Sequence, residues 1–318
     1  MSEDAVVLVT GSTGMVGSAF VQALRQSGQA VVGLARPSAA SRMHESFDYP
    51  VLRLDLLDAP ALRRALERFR PHTVIHMAAQ AFNGTSWELE SYTHLCNFNS
   101  TLNLLQACAE VIPGSRILLA CSSAEYGCVD PAECPLCEDR ALRPVSPYGV
   151  SKMATEALGF QYFSNLGMKV YLPRMFIHVG TGHPPATAIQ NFARQVALIR
   201  KGRMPARMEV GRLDTARDFI DVRDGVFAML TLLERGSPGV PVNICTGEAL
   251  SIAEVLSMLC EVAGIEPEVV QVPHLMRPSD ERLLLGNPER IRALGWERRF
   301  SMRETLGEVF RDWMERLD

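Results

Sequence analysis

Tyr148 and Lys152 stand four residues apart in the run SPYGVSK at 146–152, and they are the residues of this chain best suited to moving a proton. Ser146 can cap a helix and Pro147 fits its first position, so the phenol and the amine fall on one helical face. A lysine beside a tyrosine, near a positively charged nicotinamide, stabilises the phenolate and lowers its pKa from about 10 toward working pH. Tyr148 can then exchange a proton with a carbonyl or hydroxyl group while hydride moves to or from the cofactor. Ser122 and Ser123 end the preceding apolar strand, and Glu125 follows two residues later as a candidate base.

Chemistry of this kind needs a cofactor seat, and VVLVTGSTGMVG at 6–17 supplies one: an apolar strand running into a loop with Gly11, Gly14 and Gly17. The helix-like run at 18–26 follows at once, so a helix N-terminus with its unpaired N–H groups and partial positive charge faces the loop. Glycine admits φ > 0 and lets a pyrophosphate approach the backbone. A second strand, 30–35, ends at Arg36, where NAD enzymes commonly carry an acid for the ribose 2′-hydroxyl. Arginine there, with Ser38 and Ser41 nearby, suits a 2′-phosphate, so NADP is expected and NAD stays open. Asp55 ends the strand 51–54, where it can accept from the adenine amine. Ala78, Ala79 and Gln80 follow the apolar run 73–77 and leave room for an extended ligand over the sheet.

These residues must be carried by strands alternating with helices. Asp58 caps a helix at 59–69 that stops before Pro71, 97–111 is an amphipathic helix, and 117–120 and 169–172 are buried strands. Strands that are nearly all apolar indicate a parallel sheet covered on both faces. After 173 the character changes: a Gly/Pro-rich loop at 180–185, a helix at 188–200, a short strand at 208–210, and two capping boxes, Ser251/Glu254 and Ser301/Glu304, that start helices at 252–263 and 302–314. The expected fold is α/β: a Rossmann-type doubly wound parallel sheet over 1–174, joined by a returning segment near 219–245, and a smaller mixed α/β substrate-binding domain over 175–318.

Composition narrows the class. A net charge of −4 gives no nucleic-acid-binding surface, and no apolar run approaches the roughly 20 residues of a membrane helix. The acidic N-terminus enters the first strand directly, which predicts a cytoplasmic protein without a leader. The eight cysteines read as reduced apolar fillers. Cys128, Cys134 and Cys137 include one metal-like spacing but lack a fourth ligand, so no metal is expected.

TGSTGMVG, the Asp55 strand end, MAAQ, SSAEYG and SPYGVSK together resemble the extended short-chain dehydrogenase/reductase family. RMFIHVGTG, RDFIDVRD, VNICTGEALSI, RPSDERLLLGNPERI and LGW are similar to its GDP-4-keto-6-deoxymannose reductases and GDP-mannose 4,6-dehydratases. The resemblance implies that Gly11, Thr13, Gly14, Met15, Val16 and Gly17 line the pyrophosphate, and that Arg36, Asp55 and Leu56 hold the adenosine end. It places Ala78, Ala79 and Gln80 along the cofactor, Tyr148 and Lys152 at the nicotinamide ribose, and Ser122, Arg174, Arg217 and Arg277 on the GDP-sugar. It also implies a homodimer through the helices 97–111 and 148–166, whose Ala154, Leu158 and Phe163 are equally compatible with core packing.

Two departures matter. The family pattern S-x-E-x-Y-G has one residue more between acid and tyrosine than SSAEYG. Counting from the strand makes Ser123 catalytic and Glu125 the acid, the preferred register; counting back from Tyr126 gives Ser122 and Ala124. Ile177 replaces an asparagine of the family's R-P-F-N-H, and His178 reads as a loop hydrogen-bonder. Asp218, Asp221 and Asp224 read as structural partners of neighbouring arginines. The resemblance implies an NADP(H)-dependent reductase of a GDP-4-keto-6-deoxyhexose, with a GDP-sugar 4,6-dehydratase as the alternative and a non-catalytic dinucleotide-binding protein as a third reading.

Overall fold

The computed structural model describes residues 6–37, 47–276 and 282–318; Ser38, Ser41 and Arg277 lie outside the described residues. The first half runs β1 (Val6–Thr10), α1 (Met15–Gln26), β2 (Ala30–Ala35), β3 (Val51–Arg53), α2 (Ala59–Phe69), β4 (Thr73–His76), short α3 (Asn83–Ser86) and α4 (Glu90–His94), α5 (Ser100–Val111), β5 (Arg116–Leu119), β6 (Cys121–Ser122), α6 (Pro147–Leu166) and β7 (Lys169–Met175). The second half runs β8 (Ile177–Val179), α7 (Ala188–Arg200), β9 (Arg207–Val210), β10 (Ala216–Asp221), α8 (Val222–Arg235), β11 (Pro241–Ile244), β12 (Ala249–Ser251), α9 (Ile252–Ala263), β13 (Glu268–Gln271), β14 (Leu283–Leu284), α10 (Glu289–Ala293) and α11 (Met302–Arg316).

The main sheet has the order β11-β7-β5-β4-β1-β2-β3 with every neighbouring pair parallel, the Rossmann-type doubly wound arrangement. Alternation along β1 shows how both faces are filled: Val7 and Val9 pack with Phe20 and Leu24 of α1 and with Met229 and Leu232 of α8, while Leu8 packs with Leu62 of α2, Leu104 of α5 and Leu158 of α6. The edge strand β11 and its cover α8 come from the second half of the chain, and Ile291 and Trp296 reach the same core from still further on. A separate core gathers Phe192 of α7, Leu259 of α9 and Trp313 of α11 around Met208 and Phe219. Both capping boxes form as the sequence predicts, at Ser251 and Ser301, and α11 runs two residues past its predicted end.

Buried ionisable groups hold the two cores in register. Asp218 accepts from Thr246 N at 2.8 Å, Thr246 Oγ1 at 2.7 Å and Gly247 N at 2.9 Å, and Asp224 accepts from the amides of Arg299 and Phe300. Asp221 pairs with Arg223 and Thr305. The expected arginine partner is therefore found for Asp221, and Arg299 serves Asp224 through its amide and its charge, whereas Thr246 and Gly247 take that place for Asp218, because a strand end leaves such donors to be satisfied.

His76 Nδ1 lies 2.8 Å from Thr10 Oγ1 and its Nε2 lies 3.0 Å from Thr101 Oγ1; burial, with Lys152 adding repulsion, pushes its pKa down to about 3. Burial likewise takes His178 down to about 4, with Nδ1 set 2.8 Å from Phe176 O. Both stay neutral in the fold while the unfolded chain takes up protons below the usual value of 6.5, so their stabilisation is complete above 6.5 and is lost as pH falls toward the folded values. The unfolding free energy should drop by about 1.4 kcal/mol per pH unit for each histidine below roughly pH 6. Urea unfolding between about pH 7.5 and about pH 5 should show a shallower slope in His76→Gln.

Candidate active site

The glycine loop owes its shape to two close approaches. Gly11 has φ +65°, and a Cβ there would lie 2.9 Å from Ala78 N; one on Gly17 would lie 2.1 Å from Gly11 O. Gly14 is different: it is exposed, and a Cβ would meet only Gly11 O, at 3.4 Å. Gly14 is also the N-cap of α1, which has no side-chain cap and no acid in its first turn. The protein thus leaves both the helix-end N–H groups and the space beside Gly14 to a ligand, a fit for a dinucleotide pyrophosphate. Thr13, Met15 and Val16 are half-buried around this opening.

Arg36 stands exposed just past β2, with its guanidinium hydrogen-bonded to the Tyr92 hydroxyl and 6.0 Å from that ring's centroid. Asp55 is exposed beyond β3 and accepts from Leu57 N at 3.0 Å, while Leu56 turns into the core. Ala78, Ala79 and Gln80 line the exit from β4, half-buried. Asn97, which the sequence reading passed over as the first residue of a helix, holds this segment in place. Its Oδ1 takes Gln80 N at 2.7 Å, and its Nδ2 donates to Gln80 O at 3.1 Å and to Ser151 Oγ of α6 at 2.9 Å. Asn97 lies in a π-helical turn, Leu95–Asn99, a distortion found often at functional sites. The available signal was a polar side chain on the buried face of an amphipathic run.

Ser122, Tyr148 and Lys152 come together where β6 meets the start of α6. Ser146 caps α6 through Gly149 N at 3.1 Å, with Pro147 in the first turn as the sequence predicts. The Tyr148 phenol lies beside the Ser122 side chain. Lys152 Nζ donates to Ala120 O at 2.7 Å and lies 5.9 Å from the Tyr148 ring centroid. The phenol pKa is raised to about 12, chiefly by burial, and burial lowers that of Lys152. The expected lowering of the phenol assumed a cationic nicotinamide beside it; without that charge, desolvation dominates.

The preferred register is corrected by these contacts. Ser122 is the serine that meets Tyr148, while Ser123 is buried in the 3₁₀ turn Ser123–Tyr126. Glu125 is turned to the backbone at the start of the turn. It is fully buried, and its Oε1 takes Ser122 N at 2.6 Å in a capping box, because the turn start leaves that amide unpaired. Ala124 is the one residue of the turn that is partly open.

Arg174 is also corrected, from substrate ligand to interior ion pair. It sits on β7 with Nε and Nη2 on Glu156 at 2.8 and 2.7 Å, and Nη1 on the Tyr126 hydroxyl and Glu138 O. A fork committed in this way inside the protein has no donors for a sugar nucleotide. Arg217 lies on β10, the middle strand of the second sheet, mostly buried, with Nη1 2.9 Å from Ala216 O. Ile177 stands exposed on β8.

The family described as GDP-mannose 4,6 dehydratase matches residues 8–309. The GDP-6-deoxy-D-mannose reductase of Pseudomonas aeruginosa is 34% identical over 266 residues, covering 83% of this chain and 87% of that protein. The structure of RMD from Pseudomonas aeruginosa complexed with NADPH superposes with a TM-score of 0.85 at 32% identity, covering 98% and 99% of the two chains. Thermus thermophilus UDP-glucose 4-epimerase in complex with NAD gives a TM-score of 0.86 at 30% identity, covering 97% and 98%.

The glycines should separate packing from ligand contact. Gly17→Ala should cost about 1–3 kcal/mol in urea unfolding, since Gly11 O cannot move away. Gly14→Ala should cost less than about 1 kcal/mol yet weaken binding of a dinucleotide, followed by fluorescence titration, about tenfold or more.

Proposed function

Because the chain belongs to the GDP-mannose 4,6-dehydratase family of extended short-chain dehydrogenases/reductases, we propose that it is the reductase of that family's chemistry, using NADPH on a GDP-4-keto-6-deoxyhexose to give a GDP-rhamnose-type product. The observation that carries reduction over dehydration is the direction of Glu125. Removing a C5 proton and the C6 hydroxyl requires a carboxylate base beside the serine, and here the carboxylate of the turn is sealed against the Ser122 amide. Reduction at C4 needs one proton donor, and a phenol with its pKa raised to about 12 stays protonated at neutral pH.

The residues divide the work. NADPH, when bound, supplies the hydride. Gly14 and the uncapped start of α1 would hold its pyrophosphate, Arg36 its 2′-phosphate, and Lys152 its nicotinamide ribose. The Ser122 hydroxyl orients the C4 carbonyl, Tyr148 delivers the proton to its oxygen, and Lys152 stabilises the phenolate left behind. Arg217 would take the GDP diphosphate, with Arg277 assigned the same role by family pattern. Ile177 offers no amide, so the sugar is held by donors other than the family asparagine.

The same reading assigns residues 1–174, with the segment near 219–245, to cofactor binding and 175–318 to the nucleotide sugar. It also assigns a cytoplasmic homodimer joined through α5 and α6. Leu158 packs in the core and Phe163 lies against Gly239, so the apolar residues left outward on α6 are Val150, Ala157, Phe160 and Leu166. No helix of the described residues is long and apolar enough to cross a membrane.

Purified protein given the 4-keto sugar nucleotide should oxidise NADPH, followed by absorbance. Tyr148→Phe should keep NADPH affinity and lose about 10²–10⁴-fold in kcat. Conversion of GDP-mannose without added reductant would instead establish the dehydratase reading, and folded protein inert toward both would favour a non-catalytic binder. Arg36→Asp should raise the KM for NADPH about tenfold or more while leaving that for NADH nearly unchanged.

A further inference from the structure

Glu125 is buried with no solvent access, and its two oxygens have different surroundings. Oε1 takes the Ser122 N–H at 2.6 Å, whereas Oε2 meets no donor. Around it stand Cys121 on β6, Glu156 on α6 and Arg174 on β7, with the sulfur and carboxylate oxygens of Cys121, Glu125 and Glu156 within 4.8 Å of one another. Tyr148 and Lys152 bear on the same pocket from the first turns of α6. Of the two cations that bear on the pocket, Lys152 donates to Ala120 O and the Arg174 fork is committed to Glu156, so Glu125 Oε2 is left 3.9 Å from Arg174 Nε.

One guanidinium cannot neutralise two buried carboxylates, and acids sharing such a site retain a proton. The Arg174 fork closes on Glu156, which leaves the proton to Glu125. A proton on Oε2 makes the donorless atom a donor, with the Glu156 carboxylate as its acceptor. A metal ion is a poorer explanation of the cluster, since Arg174 already supplies positive charge there.

We propose that Glu125 is a neutral carboxylic acid acting as a positioning residue: its proton goes to Glu156, its carbonyl oxygen holds the Ser122 amide, and the Ser122 hydroxyl is thereby fixed against Tyr148. Burial and the neighbouring Glu156 both push the acid well above the usual carboxylate range. The proton stays within the Glu125–Glu156 pair during turnover, and the Arg174–Glu156 contact anchors that pair to β7.

The role depends on the reductase reading only through Ser122, and it is tested with and without turnover. Infrared difference spectra of the full-length protein at neutral pH, parent minus Glu125→Gln, should contain the C=O stretch of a protonated carboxyl; ionised-carboxylate bands in its place would overturn the proposal. Glu156→Gln should leave Arg174 to ionise Glu125 and abolish that stretch, and its persistence would count against the shared proton. In the NADPH assay Glu125→Ala should lower kcat about tenfold or more with KM nearly unchanged. Glu125→Gln reproduces both the amide acceptor and the donor to Glu156, so it should recover most of that loss. A Gln variant as impaired as the Ala variant would sink the positioning role. Parent protein that shows the carboxyl stretch but no turnover would overturn the reductase reading and leave the neutral acid standing.

Discussion

The contact between Gly17 and the Gly11 carbonyl is the constraint on which the rest of the molecule depends. Helix α1 lies so close to the turn after β1 that no side chain fits between them, and this fixes the helix end against the carboxyl edge of the sheet. A pyrophosphate seated on that end has its reach along the edge set by the backbone itself. The other elements can then be placed by dead reckoning from the loop: β4 supplies small residues beside it, and β6 brings Ser122 to the far end.

Holding the far end is the work of buried polar groups. Asn97 joins the Gln80 backbone to Ser151 of α6, and Lys152 reaches across to the Ala120 carbonyl, so α6 is tied to two strand ends at once. Such groups are costly to bury unless paired, and satisfied networks in a low-dielectric interior are stiff for that reason. Arg174, Glu156 and Glu125 extend the same logic one layer deeper, below the serine.

The fold was legible because its signals are local and periodic. Glycines at a strand-to-helix turn, apolar strands and capping boxes each report on a few neighbouring residues; β1, α9 and the start of α11 appear where those signals put them, and α1 starts at Met15, ahead of the run at 18–26. The site was legible where helical spacing does the placing, as with Tyr148 and Lys152. It failed where side-chain direction decides. Ser122 and Ser123 are adjacent and chemically identical, so which one faces Tyr148 depends on the pairing of β6 with β7. Glu125 and Arg174 carry the residue types of a site, yet their partners Ser122 and Glu156 consume them inside. Asn97 drew no notice because its role lies in contacts 17 and 54 residues away in sequence.

The strand β11 and Trp296 complete the main sheet and its core from the far side of the chain. During synthesis, β7 therefore leaves the ribosome as a bare sheet edge, rich in unpaired backbone donors and acceptors, and stays so until residues 241–244 follow it. The half that emerges first thus cannot finish folding until residues 291–296 have followed. Long-range closure of this kind slows folding and exposes the chain to misassembly, so the nascent protein has most need of a chaperone in the interval between β7 and β11.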